Sequence, residues 1–121
     1  MGLRGAPPTW RAQQLHEVDL NQFEAAQAAG GFVVDVRQPH EYEEGHVPGA
    51  YLIPLAQVTV RLSEIPTDQT VYVICASGVR SLTAAGTMAA AGRDACSVAG
   101  GTIGWARRGL PLVTGADRHS T

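Results

Sequence analysis

The sequence contains no lysine, so all nine of its cationic side chains are arginines. This absence excludes Schiff-base chemistry and a lysine-anchored pyridoxal phosphate. Any cation that works in an active site here must be an arginine, whose planar guanidinium keeps its charge and suits oxyanions. The formal net charge of -2 also provides no basic surface for nucleic acid or for an anionic membrane.

Cysteine is scarce as well, with two residues, Cys75 and Cys96. Two cysteines are too few for a disulfide scaffold, and neither the cysteines nor the histidines are spaced as metal ligands. The sequence has no apolar run of the ~20 residues that a membrane-spanning helix needs, and its start lacks the apolar segment of a signal peptide. We therefore expect no metal and a location in the reducing cytoplasm.

The 121 residues have the usual length of one domain. Short β-like runs alternate with helical runs, which predicts an α/β fold with a mainly parallel sheet. We expect one domain over residues 15–115, with a flexible segment at 1–14 and a flexible tail at 116–121.

Individual elements follow from apolar patterns and end signals. Asp19 is a predicted N-cap for a helix over 20–29, which ends at two glycines. The apolar run FVVDV predicts a strand covered on both faces, and VYVIC is the clearest strand of the chain. The predicted strands are 32–36, 50–53, 71–75 and 95–99, and the other predicted helices or helical turns are 39–46, 57–62, 81–92 and 102–109.

The segment from Cys75 to Ser81 combines features that favour an anionic sulfur. A cysteine at the carboxyl end of a buried parallel strand lies where open α/β sheets place their ligands. The small residues after it, Ala76 and Ser77, let their amides turn inward, and Gly78 provides the backbone freedom of a tight loop. The loop leads into a helix N-terminus, which adds partial positive charge.

Two further side chains reinforce this interpretation. Arg80 can return its guanidinium to the entrance of the loop, and Ser81 can cap the helix or hydrogen-bond the sulfur. Helix N-termini and nearby cations lower the pKa of a cysteine from ~8.5 to roughly 3.5–7.5. The pattern therefore predicts a nucleophilic cysteine that acts on an anionic substrate. The alternative is a cysteine that is merely a buried apolar residue at a strand end.

The segment from Cys75 to Ser81 and two other segments of the sequence resemble motifs of the rhodanese sulfurtransferase family. CASGVRS (75–81) is similar to the family's active-site loop, Cys-x-x-Gly-x-Arg-Ser. DVRQPHEYEEGHVPGAYLIPL (35–55) resembles its first signature, and GGTIGWARRGLPLVTG (100–115) resembles its closing motif. The three matches occur in the family's order and span roughly residues 17–115. The resemblance implies a rhodanese-like three-layer fold, with a central sheet of about five strands flanked by helices.

The resemblance also implies a reaction. Cys75 would take the outer sulfur of a donor such as thiosulfate or a persulfide, and an acceptor thiol or cyanide would then remove it. The acceptor thiol can belong to a partner protein. The substrate-binding loop would be formed by Ala76, Ser77, Gly78, Val79 and Ser81, and Arg80 would orient the donor or stabilise the loop. No cofactor is implied, because the transferred sulfur is carried by Cys75.

Other residues of the motifs have implied supporting roles. Asp35 and Arg37 resemble supports near the active-site loop, with the arginine paired to an acid such as Glu41 or Glu44. His46 resembles a family histidine that packs and hydrogen-bonds the backbone. Trp105 can line the pocket rim or pack in the core, and we favour core packing. Cys96 lies inside an apolar strand, so we interpret it as a core residue and not as a resolving thiol.

Two rival functions remain open. Some phosphatases and arsenate reductases also use a loop from a cysteine to an arginine, but with five intervening residues. Here four residues, Ala76 to Val79, separate the two, and no general acid can be nominated for a leaving group. The second rival is a binding or regulatory module that keeps the fold without turnover. The resemblance has one departure: many family members that process thiosulfate have a basic or long polar residue just after the cysteine, whereas this chain has Ala76 and Ser77. The departure argues against thiosulfate as the natural donor and leaves sulfur transfer intact.

Overall fold

A computed structural model describes residues 17–119 of the chain. Its centre is a five-stranded sheet in which every neighbouring pair of strands is parallel, in the spatial order β1-β5-β4-β2-β3. The strands are β1 (Glu17–Val18), β2 (Phe32–Asp35), β3 (Tyr51–Leu52), β4 (Thr70–Ile74) and β5 (Asp94–Val98). Because β4 is the central strand of this order, the residue that follows it lies at the middle of the carboxyl end of the sheet.

Four α-helices and two 3-10 helices connect the strands. The α-helices are α1 (Leu20–Ala28), α2 (Pro39–Glu44), α3 (Val79–Ala90) and α4 (Gly101–Arg107). The 3-10 helices are Leu55–Gln57 and Thr59–Glu64. Asp19 caps α1 as the sequence predicts: its carboxylate accepts from the Gln22 amide at 2.8 Å, and the Gln22 side chain accepts from the Asp19 amide at 3.0 Å.

Two apolar clusters cover the two faces of the sheet, so the three-layer arrangement is confirmed. Successive strand residues point to opposite faces. Accordingly, Val34 and Val73 join the α3-face cluster, which includes Ala84 and Met88 of α3. The α1-face cluster takes their strand neighbours and side chains from the helices of the other layer: Val33, Ile74, Phe23 of α1, Tyr42 of α2 and Trp105 of α4.

The sequence located most elements within one or two residues of their observed ends, but it missed one strand and one helix type. The edge strand β1 was not predicted, because two residues are too short for a visible alternation. The helix predicted at 57–62 is two 3-10 helices, and the backbone at Arg61 departs from helical geometry (φ -116°, ψ 21°). No helix within residues 17–119 is long and apolar enough to cross a membrane.

Residues of the predicted C-terminal tail contact the loop that follows α2. His46 Nε2 lies 2.8 Å from the Asp117 carbonyl oxygen, and the Gly49 amide donates to the Arg118 carbonyl at 2.8 Å. The Arg118 guanidinium in turn donates to the Gly49 carbonyl at 2.9 Å. These contacts hold the described part of the tail, 116–119, on the domain. The predicted flexible segment 1–14 and the last residues of the tail, 120–121, lie outside the described residues.

Candidate functional site

Cys75 follows β4 directly and is fixed from behind by the start of α4. Its carbonyl oxygen accepts from the Thr102 amide at 2.8 Å and from the Thr102 hydroxyl at 3.0 Å. The Ile103 amide donates to the Ala76 carbonyl at 3.0 Å. The first turn of α4 therefore holds the first two residues of the loop, while α3 begins at its other end.

The sulfur of Cys75 accepts hydrogen bonds from the first turn of α3. The Gly78 amide lies 3.1 Å from the sulfur, and the Ser81 amide lies 3.3 Å from it. Gly78 is the N-cap of α3 and has φ 110°, a left-handed conformation that favours glycine. Because the first amides of a helix have no intrahelical acceptor, the sulfur takes the position of a capping group.

This environment lowers the pKa of Cys75. Burial opposes ionisation, since the residue is 1% exposed. The hydrogen bonds from the Ser81 hydroxyl and from the amides of Ser81, Gly78 and Ser77 outweigh burial and bring the pKa of the thiol below its ordinary value. The folded protein therefore carries more thiolate at neutral pH than a solvated cysteine does, and the thiolate is the nucleophilic form.

The remaining loop residues form the outer surface of this site. Ala76 is half-buried, whereas the Ser77 and Val79 side chains are exposed, and Val79 exposes 72% of its surface. None of the three carries a charge. The charge nearest to the loop in sequence is that of Arg80.

Arg80 is paired with Glu41 of α2. Arg80 Nη1 donates to Glu41 Oε1 at 2.7 Å and Nη2 donates to Oε2 at 2.9 Å, a two-pronged contact. The contact with Arg80 lowers the pKa of Glu41 to about 2, although burial acts in the opposite direction. Glu41 therefore stays ionised and compensates the positive charge of Arg80 beside the loop.

Arg37 has a different partner from the acids that the family resemblance implied. Arg37 Nη2 donates to Asp35 Oδ2 at 2.8 Å and to the Gly45 carbonyl at 2.8 Å. Asp35 is fully buried and Arg37 is 6% exposed. The expected pairing of Arg37 with Glu41 or Glu44 is wrong, because Asp35 lies two residues away on the same chain segment and Glu41 is engaged by Arg80.

His46 lies between the end of α2 and the C-terminal tail. The ring is fully buried, stacks on Tyr42 with a centroid distance of 3.6 Å, and has its two nitrogens 2.8 Å from the Tyr42 and Asp117 carbonyls. Trp105 is 2% exposed and donates from Nε1 to the Pro111 carbonyl at 2.7 Å. Both side chains thus make packing and backbone contacts, the kind of role that the sequence favoured for them.

Sequence reasoning missed three contributors to the site. Ser97 of β5 lies with its Oγ 2.7 Å from the Ser81 Oγ. Glu41 was assigned to the wrong arginine, and Thr102 was not considered. A serine among the apolar residues of β5 was a visible signal for Ser97, since a buried hydroxyl needs a partner. Within residues 17–119, no group of three or more His, Cys, Asp or Glu side chains could hold a metal ion.

Comparisons with known proteins are consistent with this fold. The family model described as "Rhodanese-like domain" matches residues 19–108. A protein from Allochromatium vinosum described as a sulfurtransferase is 40% identical over 82 residues, which cover 67% of this chain and 77% of that protein. The matches to four other curated relatives cover between 30% and 44% of the length of those proteins.

Solved structures are similar as well. A rhodanese-related protein from Thermoplasma volcanium aligns with a TM-score of 0.75 and 27% identity over 80% of this chain and 96% of that chain. A thiosulfate sulfurtransferase from Pseudomonas aeruginosa aligns with a TM-score of 0.76 and 26% identity. That match covers 90% of this chain and 22% of the longer protein.

Proposed function

The chain belongs to the family of rhodanese-like domains, and from this premise we propose that it is a sulfurtransferase that carries sulfur as a persulfide on Cys75. The observation that carries the proposal is the Cys75 sulfur, which is held by the Gly78 and Ser81 amides at the N-terminus of α3. This arrangement supplies a thiolate nucleophile at the carboxyl end of the sheet.

The proposed reaction has two displacements. The Cys75 thiolate attacks the outer sulfur of the donor, the sulfur–sulfur bond of the donor breaks, and the leaving group departs with the electron pair. With thiosulfate the leaving group is sulfite, and with a low-molecular-weight persulfide it is a thiolate. A thiolate acceptor or cyanide then attacks the outer sulfur of the persulfide and releases Cys75 as a thiolate. The cycle needs no external oxidant or reductant.

We place this cycle in the cytoplasm, with small sulfur compounds or a partner protein's thiol as reactants. A reducing compartment keeps Cys75 from forming adventitious disulfides. We propose no role for nucleic acid or for a membrane surface, since a protein with a net charge of -2 has no basic field that would attract either of these anionic partners.

The test of the proposal is the intact mass of the reduced protein after exposure to thiosulfate, and separately to cysteine persulfide. We expect a gain of one sulfur atom, which cyanide removes with release of thiocyanate. Labelling by the persulfide alone would identify a persulfide-specific transferase. Labelling by neither donor would overturn the proposal and favour a binding module.

We further propose that thiosulfate is the poorer donor, because the Glu41 carboxylate compensates Arg80. Thiosulfate is a small dianion, so its capture depends on uncompensated positive charge at the site. Neither Ala76 nor Ser77 supplies such charge. The Arg80 charge is shared with Glu41 at 2.7 Å, and these side chains are 35% and 24% exposed.

Glu41→Gln should raise kcat/KM for thiosulfate relative to that for cysteine persulfide by about threefold at low ionic strength. Glutamine retains the shape and one acceptor oxygen but removes the negative charge. The gain should fade as salt is added, because salt screens exposed charges.

A matched control is Glu64→Gln, which removes the acid of the Arg61–Glu64 pair at 2.8 Å within the second 3-10 helix. This variant should leave the donor ratio unchanged. A fall in the thiosulfate rate of Glu41→Gln would show instead that Glu41 orients Arg80 for the donor, and it would refute the charge-compensation argument.

A further inference from the structure

Three buried polar atoms form a continuous line behind the reactive sulfur. The Cys75 sulfur lies 3.3 Å from Ser81 Oγ, and Ser81 Oγ lies 2.7 Å from Ser97 Oγ. Cys75 is 1% exposed, and both serines are fully shielded from solvent. The line joins the loop after β4, the first turn of α3 and the strand β5.

The hydrogens of this line can be arranged in two ways. A hydroxyl has one hydrogen to donate and can accept in return. When the Ser81 hydroxyl donates to the sulfur, its oxygen is available to accept from Ser97. When a neutral thiol donates to Ser81 instead, Ser81 must donate to Ser97. Ser81 is the one hydrogen-bond partner found for the Ser97 side chain among residues 17–119, so that second arrangement leaves the Ser97 hydrogen without an identified acceptor.

The first arrangement pairs every hydrogen of the line, and it requires a sulfur that only accepts. The Gly78 and Ser81 amides already donate to this sulfur, and a third donation, from the Ser81 hydroxyl across the 3.3 Å contact, favours its ionised form. A buried hydroxyl without an acceptor is unfavourable. The need of the Ser97 hydroxyl for an acceptor therefore favours the ionised form of the Cys75 sulfur, which Ser97 reaches through Ser81 Oγ.

We propose that Ser97 is a positioning residue for Cys75: its hydroxyl donates to Ser81 Oγ and thereby directs the Ser81 hydrogen to the anionic sulfur. Ser97 itself does not touch the sulfur or the substrate. The inference deepens the proposed function, because it concerns the nucleophile on which that function depends, but it does not depend on the identity of any sulfur donor.

The experiment measures the rate of Cys75 alkylation by iodoacetamide as a function of pH. Every protein except one control carries Cys96→Ser, and that control carries Cys96→Ala, so that Cys75 is the sole thiol throughout. With Ser97→Ala added, we expect the rate at a pH below the midpoint of the profile to fall by about threefold to tenfold, with the midpoint moved to higher pH. Ser81→Ala should produce a larger change, because it removes the direct donor.

The variant that combines Ser81→Ala with Ser97→Ala shows whether Ser97 positions the Ser81 hydroxyl or only packs in the core. If Ser97 acts through Ser81, Ser97→Ala should add nothing to the profile of Ser81→Ala, and the two effects will not be additive. Ser97→Thr retains the hydroxyl and should restore the midpoint. Cys96→Ala provides the matched control on β5, since its side chain points to the opposite face of the sheet, and its midpoint should equal that of Cys96→Ser.

Two results would overturn the proposal: an unchanged profile in Ser97→Ala, or additive effects of the two serine substitutions. Denaturant unfolding of each variant identifies any that is not folded, and Ser97→Val, which also lacks the hydroxyl, then replaces Ser97→Ala in the comparison. Alkylation needs no sulfur donor, so its outcome is separate from that of the mass experiment. A protein that takes up no sulfur but shows the expected midpoint shift would refute the sulfurtransferase proposal and retain the role of Ser97.

Discussion

Cys75→Ser should reduce sulfur transfer to the uncatalysed level, a loss of at least about a thousandfold, while the protein stays folded. A serine hydroxyl ionises far less readily than a thiol, and its oxygen cannot form a persulfide. The Gly78 and Ser81 amides can still donate to the serine oxygen, so the start of α3 keeps its capping group. The rate of thiocyanate release, measured with the donor that labels the wild-type protein, checks the result.

The second cysteine provides the control for this experiment. Cys96 is 7% exposed in β5, and its sulfur lies 3.8 Å from the Val71 carbonyl of β4, on the side of the sheet that does not hold Ser97. Cys96→Ser should leave the transfer rate nearly unchanged. Residual turnover in Cys75→Ser would contradict the whole mechanism. A large loss in Cys96→Ser without unfolding would instead indicate a resolving thiol.

The sequence was sufficient to predict the core of this site, because its determinants are local. Cys75 directly follows the apolar run of β4, small residues and Gly78 come next, and α3 begins four positions after Cys75. Strand, turn and helix signals over such a short stretch fix the relation between the sulfur and the helix amides. Most of the sheet was predictable for the same reason, since its strands are apolar runs bounded by turn residues.

Contacts between distant segments were harder to predict. Arg80 and Glu41 are separated by 39 positions, and Ser81 and Ser97 by 16. Their proximity depends on strand order and on the packing of α2 and α3, neither of which a local pattern determines. Arg37 illustrates the resulting error, because several acids were within reach along the chain and the buried Asp35 proved to be its partner.

Gly101→Ala should destabilise the protein by about 2–4 kcal/mol and slow Cys75 chemistry by roughly a hundredfold. A Cβ at this position would lie 2.5 Å from the Ala76 carbonyl oxygen and 2.6 Å from the Cys75 carbonyl oxygen. These are backbone atoms of the active-site loop, so no side chain can rotate to relieve the contact. Gly101 also has φ 58°, a left-handed conformation that is strained for alanine.

The expected loss of activity follows from what the close approach achieves. With no Cβ at position 101, the Thr102 and Ile103 amides reach the carbonyls of Cys75 and Ala76 at 2.8 and 3.0 Å. Pushing the loop away from α4 would break these bonds and move the sulfur relative to the Gly78 and Ser81 amides that favour its ionised form. Denaturant unfolding measures the stability change, and the alkylation rate of Cys75 reports on the loop.

Gly86→Ala is the matched control, since Gly86 lies inside α3 and an added Cβ would have no atom within 4 Å apart from the neighbouring residues and backbone of its own helix. Alanine favours helix over glycine, so this variant should gain about 0.5–1 kcal/mol of stability and keep the alkylation rate. If Gly101→Ala were as stable and as reactive as Gly86→Ala, the close approach of α4 would not be what holds the loop. The position of the nucleophile would then depend on α3 alone, and the contacts of Thr102 and Ile103 would be incidental to the chemistry.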